Sequence, residues 1–301
     1  MSKYASMKGL RQCVRIGAGC VAAGLLLVTG QASAQEFYGT LKKIKDTNTI
    51  TVGHREASIP FSYYDDKKQP IGYAMDLCAK VVDEVKKVIK APDLQVKYLP
   101  VNAQTRIPLM VNGTVNLECG STTNTIGRQA QVDFSAVYFT TATRVLSRKA
   151  LKAKEIEDFQ GKSIGLSVGS TNERVVKALI DSGKLKDVRI LNLKDHAEAL
   201  VALETDRIDG YASDDIVLYG LISKSRIKND LEVVGRSLSY EPYGVMLPRD
   251  DSAYRLVVNK TLADLFRSGE IEKIYAKWFD PLGVPINPLL KAAFELQALP
   301  E

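Results

Sequence analysis

Hydrophobic and polar positions follow two alternating patterns from residue 49 onwards. Short runs rich in β-branched residues predict strands at 49–53, 96–99 and 115–119, because strands favour such residues and alternate their faces. Between the first two runs, apolar residues recur at helical spacing from 72 to 89. Strands that alternate with helices are typical of a mainly parallel sheet, so the chain is predicted to be an α/β protein.

The same alternation starts again further along the chain. Strands are predicted at 162–167, 188–191 and 208–212, with helices at 172–180 and 197–205 between them. Two further strand-like runs, 138–147 and 243–247, would carry the chain from the first series to the second and back. These patterns predict two lobes joined by a two-strand hinge: residues 35–145 and 245–301 form a discontinuous first lobe and 146–244 the second. Helices are expected at 253–268 and 271–279, before a proline-punctuated tail.

The first 34 residues have the composition of a secretory signal peptide. Four basic residues precede an apolar run at 18–28, and Ala32-Ser33-Ala34 is a small-residue cleavage site that would leave Gln35 first. The run is too short to span a bilayer. A lipoprotein signal at Cys20 is not favoured, because the apolar run follows this cysteine. We expect export to the periplasm.

Net charge does not point to a nucleic-acid partner. The chain has 41 basic and 35 acidic residues, and the predicted signal peptide contains four of the basic ones and none of the acidic ones. The remainder is therefore close to neutral, at about 37 against 35. No basic stripe with interleaved aromatic residues occurs.

Cysteine and histidine content limits the cofactor chemistry. Cys78 and Cys119 remain after the signal peptide, and both lie on predicted apolar faces, which favours buried thiols. A disulfide stays open, because sequence spacing does not show how close the two Cα atoms lie. Two histidines without metal-ligand spacing predict neither a zinc site nor any other metal site. No cofactor is expected.

A polar segment after the third strand is the main candidate site. Gly120 ends the strand, residues 121–124 are all hydroxyl or amide residues, and Arg128 follows. Hydroxyls, backbone N–H groups and one arginine at the carboxyl end of a sheet make a receptor for a carboxylate. Taken locally, an ordinary polar turn with a solvated arginine is the more common meaning of such a composition.

Several motifs resemble the bacterial periplasmic amino-acid-binding proteins, the solute-binding subunits of ABC importers. The central motif is GSTT at 120–123, then Arg128 and VDFS at 132–135. GHRE at 53–56 and ECGSTTN at 118–124 resemble the glutamate/aspartate-binding branch. The resemblance runs from about residue 40 to about 280. It implies a type II periplasmic binding protein, each lobe a mainly parallel sheet flanked by helices.

The resemblance also implies ligand-binding residues. Arg128, helped by Ser121 and Thr123, would bind the ligand α-carboxylate. Thr171 would add helix N-terminal amides to the same anion, although it also reads as an ordinary N-cap. Asp214 would bind the ligand ammonium, with neighbouring Asp215 as the alternative.

The side-chain carboxylate of the ligand would face three other residues. Arg55, Arg106 and His196 match positions of the glutamate/aspartate branch. Ala103 departs from the hydroxyl expected at its position, which puts the affinity and the aspartate/glutamate ratio in question. Three aromatic residues are available to stack near the ligand, although core packing is the commoner role: Phe61, Tyr63 and Tyr73.

The predicted function is periplasmic capture of L-glutamate or L-aspartate and delivery, as a monomer, to an ABC permease whose ATPase is a separate chain. One alternative is a dehydratase-like enzyme on the same fold, with Glu118 or Glu173 as its general acid. Another is a soluble amino-acid sensor. The pattern GLSVG at 165–169 matches the nucleophile elbow of serine hydrolases, but only His196 follows it, so a hydrolase is not favoured.

Overall fold

The computed structural model describes residues 36–300, so the predicted signal peptide and its cleavage site lie outside the described residues. Most elements predicted from the hydrophobic pattern are present within one or two residues of their predicted ends. The strands are β1 (Thr49–His54), β2 (Ala57–Ser58), β3 (Ser62–Tyr64), β4 (Pro70–Ile71), β5 (Gln95–Pro100), β6 (Leu117–Cys119), β7 (Asp133–Phe134), β8 (Phe139–Thr141), β9 (Thr143–Arg148), β10 (Ser163–Ser167), β11 (Arg189–Leu193), β12 (Gly210–Asp214), β13 (Leu231–Val234), β14 (Glu241–Tyr243) and β15 (Met246–Leu247).

The helices cover both faces of two main sheets. They are α1 (Gly39–Thr47), α2 (Tyr73–Val88), α3 (Arg106–Val111), α4 (Ile126–Gln129), α5 (Thr171–Asp181), α6 (His196–Glu204), α7 (Asp215–Lys224), α8 (Ser252–Ser268), α9 (Glu270–Phe279) and α10 (Pro288–Gln297). Within residues 36–300, no helix has the length and apolar character needed to cross a membrane.

The first sheet has the strand order β5-β1-β6-β15-β7. Its strands β5, β1 and β6 are parallel, whereas β15 pairs antiparallel with β6 and β7. Leu77, Val81 and Val85 of α2 have no exposed surface, because their helical spacing places them on one face that packs into the core of this sheet. The parallel strands all end at the same edge.

The second sheet has the strand order β11-β10-β12-β9-β13. Strands β11, β10 and β12 are parallel, and β9 runs antiparallel between β12 and β13. The segment 152–159, before β10, contributes Ile156 and Phe159 to the core beside this sheet. Strand β13 and helix α7 were not predicted.

Two short strands connect the sheets. β8 pairs antiparallel with β14, and the chain continues from β8 into β9 of the second sheet and from β14 into β15 of the first. The run 138–147, predicted as one strand, is therefore divided in two, with Ala142 between its parts. The lobe boundaries near residues 145 and 245 stay predictions.

The tail after residue 281 contains the helix α10, which its prolines had obscured. Asn287 is the N-cap and accepts a hydrogen bond from the Leu290 amide over 2.8 Å, while Pro288 occupies the first helical position, where no intrahelical N–H is needed. Phe294 stacks on Phe266 of α8 with ring centroids 5.1 Å apart. The proline marks the start of a helix rather than its absence.

A disulfide joins Cys78 of α2 to Cys119 at the end of β6, with Cα atoms 6.3 Å apart. The sequence had favoured free thiols at these two positions. The bond closes a long loop, since the cysteines are 41 residues apart in sequence. It ties the helix to the strand that leads directly into the polar segment 120–124.

We predict that removing this disulfide destabilises the protein by about 3–4 kcal/mol, because a loop of this length gains considerable entropy in the unfolded chain. Urea unfolding of the Cys78→Ala/Cys119→Ala variant measures the loss. Reduction of the wild type with a thiol should lower its stability similarly and leave the double variant unchanged. Two free thiols in the intact mass of the oxidised wild type would contradict the assignment.

Candidate functional site

A cavity lies where the carboxyl ends of the parallel strands of the two sheets meet. The space between its lining residues, counted together with the part that is open to solvent, is about 280 Å³. Both sheets contribute: β1, β6, β10 and β12 each end within two residues of a lining residue. Its lining residues are Arg55, Ala103, Arg106, Ser121, Thr123, Ser167, Ser170, Thr171, Asn172, His196 and Asp214. Seven of the eight predicted site residues are in this set, and Arg128 lies against it.

Arg128 joins the two sides of the cavity. Its Nη1 donates to the Thr123 carbonyl over 2.8 Å, and its Nη2 donates to the Gly169 carbonyl over 3.3 Å. Thr125 is the N-cap of the short helix α4, and its side chain accepts a hydrogen bond from the Arg128 backbone N–H. Burial lowers the pKa of the Arg128 guanidinium to about 10, so the group remains a cation at neutral pH.

Arg106 opens helix α3 and is almost completely buried. Its Nη1 donates to Thr122 Oγ1 over 2.5 Å and lies 3.4 Å from the Ser121 carbonyl. Its Nε has no hydrogen-bond partner among the described residues. Burial, and then the charge of Arg128, lower the pKa of Arg106 to about 9, which leaves it protonated at pH 7.

Arg55 follows β1 and passes over Gly120. Its backbone N–H donates to Ser62 Oγ over 2.8 Å, which fixes the turn from the strand. A Cβ on Gly120 would lie 2.8 Å from Arg55 Cγ and 2.7 Å from Glu118 Oε1, so only glycine fits between these side chains. Nothing in the described chain accepts a hydrogen bond from the Arg55 guanidinium, although the residue is only 3% exposed.

The hydroxyl residues connect the two sheets. Thr123 Oγ1 of the first side is 3.4 Å from Thr171 Oγ1 of the second. Ser121 Oγ is 2.5 Å from Ser58 Oγ. The N-cap of α5 is Ser170, which accepts from the Glu173 amide over 3.0 Å, so the ordinary-cap interpretation of Thr171 was wrong. Thr171 is instead the first helical residue and lines the cavity.

Asp214 is the one acidic residue among those that line the cavity. Its Oδ1 accepts from Asn172 Nδ2 over 2.8 Å, and its Oδ2 accepts from the Tyr243 hydroxyl. Burial, reinforced by the negative charge of Glu241, raises the pKa of Asp214 to about 6. Asp215 does not line the cavity and accepts from Thr141 Oγ1 over 2.5 Å.

His196 is a neutral side chain in this site. Its Nδ1 is 2.7 Å from the Tyr211 hydroxyl, whereas its buried Nε2 has no partner among the described residues. Burial, together with the charges of Arg55 and Arg106, holds the pKa of His196 well below its usual range. Ser167 Oγ forms a hydrogen bond with the same Tyr211 hydroxyl over 2.8 Å. A hydrolase nucleophile would need a direct hydrogen bond to the histidine, which Ser167 does not form.

The two carboxylates considered as general acids have other partners. Glu118 accepts from Thr122 Oγ1 over 2.6 Å and lies behind the lining residues. Glu173 accepts from the Gly169 amide over 2.7 Å and pairs with Lys177 over 2.7 Å. The aromatic candidates are also placed elsewhere: Phe61 and Tyr73 are buried in the core, and the ring of Tyr63 lies near Trp278.

Four residues to which the sequence analysis gave no role of their own take part in the site: Asn172, Thr143, Tyr243 and Thr122. Asn172 bridges Asp214 and Thr143 Oγ1, both over 2.8 Å. Tyr243 reaches Asp214 from the connecting strand β14, and Thr122 reaches Arg106. Two of them carried a local signal: Asn172 lies beside Thr171 in the first turn of a predicted helix, and Thr122 belongs to the polar segment 121–124.

The charge of the site is complementary to a small anionic molecule that also has a cationic group. Three buried arginines and one buried carboxylate line the cavity or lie against it. Because unpaired buried charges are costly, such a cavity favours a ligand that supplies at least one anion to the arginines and a cation to Asp214. Among residues 36–300, no cluster of His, Cys, Asp and Glu could hold a metal ion.

Comparisons with known proteins agree with this fold. The family model of the bacterial extracellular solute-binding proteins, family 3, matches residues 50–281. The L-glutamate/L-aspartate-binding protein of Pseudomonas aeruginosa is 45% identical over 91% of this chain and 92% of its own length. The glutamate/aspartate import solute-binding protein of Escherichia coli is 40% identical over 85% of this chain and 84% of its own length.

A solved structure gives the same architecture. The ancestral amino acid-binding protein AncCDT-1, a precursor of cyclohexadienyl dehydratase, superposes with a TM-score of 0.67 at 27% identity, over 80% of this chain and 100% of its own. The two-sheet fold predicted from the sequence is therefore confirmed. Since the family model spans most of the chain and two relatives exceed 30% identity, the chain belongs to the bacterial extracellular solute-binding proteins of family 3.

Proposed function

We propose that this protein binds L-glutamate or L-aspartate in the periplasm and delivers it, as a monomer, to an ABC-type permease whose ATPase is a separate chain. The ligand would lie in the cavity between two lobes, which close around it. The first lobe would consist of residues 35–145 and 245–301, and the second of residues 146–244. The observation that carries the proposal is the ratio of buried charges in or against one cavity, three arginines to one aspartate.

Each charge of an acidic amino acid has a proposed partner. Arg128, Ser121, Thr123 and the first turn of α5 at Thr171 would take the α-carboxylate, because helix N-termini and hydroxyls add donors to the arginine. Asp214 would take the ammonium. Three other groups would face the side-chain carboxylate of the ligand: the guanidinium groups of Arg55 and Arg106 and the unpartnered Nε2 of His196.

Binding without chemistry is favoured over an enzyme on the same fold. A dehydratase-like reaction needs a general acid within reach of the ligand. Glu118 lies behind Thr122, and both oxygens of Glu173 are engaged by Gly169 and Lys177. The named functions of the two relatives above also favour solute binding and import over sensing.

Calorimetry with ligand-stripped protein tests the proposal. The protein is unfolded, dialysed, refolded and titrated with glutamate, aspartate, glutamine, asparagine and histidine. We expect the two acidic amino acids to bind far more tightly than their amides, because an amide leaves buried arginine charge unpaired. Comparable affinity for glutamine and glutamate would overturn the assignment of an acidic ligand.

The raised pKa of Asp214 predicts a pH dependence of binding. A bound ammonium favours the carboxylate, so the ligand lowers this pKa and displaces a proton wherever the empty protein holds one. Below about pH 6 the affinity should fall by up to about tenfold per pH unit, which makes binding at pH 5 about tenfold weaker than at pH 7. The glutamate side chain stays mostly ionised at pH 5 and His196 stays neutral, so neither accounts for the loss.

Titrations in buffers of different ionisation enthalpy count the protons released. Close to one proton should leave per ligand at pH 5 and almost none at pH 7.5. The raised pKa of Asp214 also affects the stability of the empty protein, which should fall with rising pH where the affinity for ligand rises. The contribution of Asp214 to the free energy of unfolding declines between about pH 4 and about pH 6, because this carboxyl ionises at a lower pH in the unfolded chain than in the folded one. Equal affinities at pH 5 and pH 7 would argue against Asp214 as the ammonium partner.

A further inference from the structure

Thr122 and Glu118 form a hydrogen-bonded chain that ends on Arg106. Arg106 Nη1 donates to Thr122 Oγ1 over 2.5 Å, and the same hydroxyl donates to Glu118 Oε2 over 2.6 Å. Both Thr122 and Glu118 have no exposed surface, and neither lines the cavity. A hydroxyl has one proton, so donating it to the carboxylate leaves its lone pairs directed at the guanidinium.

Glu118 supplies the negative charge behind the arginines. It attracts both Arg106 and Arg128. Its Oε1 has no hydrogen-bond partner among the described residues, although the side chain is fully buried. A carboxylate in this condition is stable only beside compensating positive charge, so Glu118 and the arginine cluster hold each other in place.

We propose that Thr122 is a positioning residue that, together with Glu118, aims Arg106 and thereby sets the preference for a ligand side-chain carboxylate over the corresponding amide. This inference rests on the function proposed above and deepens it. With Nη1 committed to Thr122, the buried Nε of Arg106 remains free of protein partners.

A fixed array of donors explains how such a preference arises. A carboxylate accepts hydrogen bonds at both oxygens, whereas an amide presents an NH₂ group that cannot accept from a guanidinium. If Arg106 were free to rotate, it could turn a donor away from the amide nitrogen and reduce the penalty. The hydrogen bond to Thr122 prevents this rotation, so loss of the hydroxyl should weaken glutamate more than glutamine.

Three variants test the role of the hydroxyl. Thr122→Val removes it at nearly constant shape, Thr122→Ser retains it, and Thr261→Val makes the same change at a buried threonine of α8 whose hydroxyl bonds the Val257 carbonyl over 2.9 Å. Calorimetry gives dissociation constants for L-glutamate and L-glutamine. We expect Thr122→Val to reduce the glutamate-to-glutamine preference about tenfold or more, as for loss of a hydrogen bond to a charged group. Thr122→Ser and Thr261→Val should stay within about twofold of wild type.

Two outcomes would overturn the inference. One is a folded Thr122→Val variant that keeps the wild-type preference, either because neither ligand loses affinity or because both lose it equally. The other is a Thr122→Ser variant that loses as much of the preference as Thr122→Val. If Thr122→Val does not fold, Glu118→Gln answers the same question, because it removes the charge that orients the hydroxyl and should also reduce the preference. A wild type that binds both ligands equally would overturn the proposed function itself. A selective wild type with an unaffected Thr122→Val overturns the positioning role alone.

Discussion

Arg106→Met is expected to weaken L-glutamate binding by two or more decades while glutamine loses much less. Methionine retains the apolar stem and the bulk of arginine but not its charge. Removing one partner of a buried ion pair costs about 3–5 kcal/mol, which corresponds to about two to three and a half decades in the dissociation constant. Glutamine loses less because its amide never formed that ion pair.

The measurement is calorimetry of the variant with both ligands. Arg148→Met is a matched control, because Arg148 donates to the Leu203 and Glu204 carbonyls of α6, over 3.1 and 2.9 Å, and does not line the cavity. It should affect stability and leave both affinities within about twofold. Equal losses for glutamate and glutamine in Arg106→Met would show that Arg106 does not face the ligand side chain.

Asp214→Asn is expected to weaken binding by a similar two to three decades and to prevent ligand-dependent compaction. Asparagine keeps the size of the side chain and one acceptor oxygen, so the contact with Asn172 or Tyr243 can persist. The ammonium, however, would then be buried without an anion. Asp214 belongs to the second sheet, so its contact with the ligand forms in the closed protein. Without that contact the ligand binds the closed and the open form with similar affinity and does not favour closure.

Contacts across the cavity define that closed form. Arg128 Nη2 reaches the Gly169 carbonyl over 3.3 Å, Thr123 meets Thr171 over 3.4 Å, and the Glu56 carboxylate is 3.6 Å from Lys194 Nζ. Such polar contacts at the cavity rim are individually weak. We therefore expect the empty protein to open in solution about β8 and β14, and ligand to shift it back.

Small-angle scattering with and without saturating glutamate measures the change. Wild type and the neighbouring variant Asp215→Asn should both show a smaller radius of gyration with ligand, whereas Asp214→Asn at matched occupancy should not. Wild type that keeps the same radius would contradict the hinge. Asp214→Asn that compacts like wild type would leave the hinge in place but remove Asp214 as the closing contact.

The sequence predicted the parts of the fold that depend on local pattern. Alternating strands and helices, the two connecting strands and the arginines at strand ends all follow from residue spacing and motif. Helix α10 did not, because Pro288 resembles a breaker until its N-cap, Asn287, is recognised. Its stability comes from Phe294 packing on Phe266, which no local pattern shows.

The polar network around the site was the least predictable part. Tyr243 and Asp214 are 29 residues apart and meet only because β14 crosses between the sheets. Thr122 lies between Ser121 and Thr123, which line the cavity, whereas its own hydroxyl contacts Arg106 and Glu118 behind the lining residues. Sequence alone identified the segment but not which hydroxyl binds Arg106.

A crystal structure of the protein grown with L-glutamate tests the central claim most directly. We predict electron density for one amino acid in the cavity, with its ammonium on Asp214, its α-carboxylate on Arg128 and its side-chain carboxylate on Arg106. A glutamate bound in the reverse orientation, with the ammonium away from Asp214, or density outside this cavity would contradict the account.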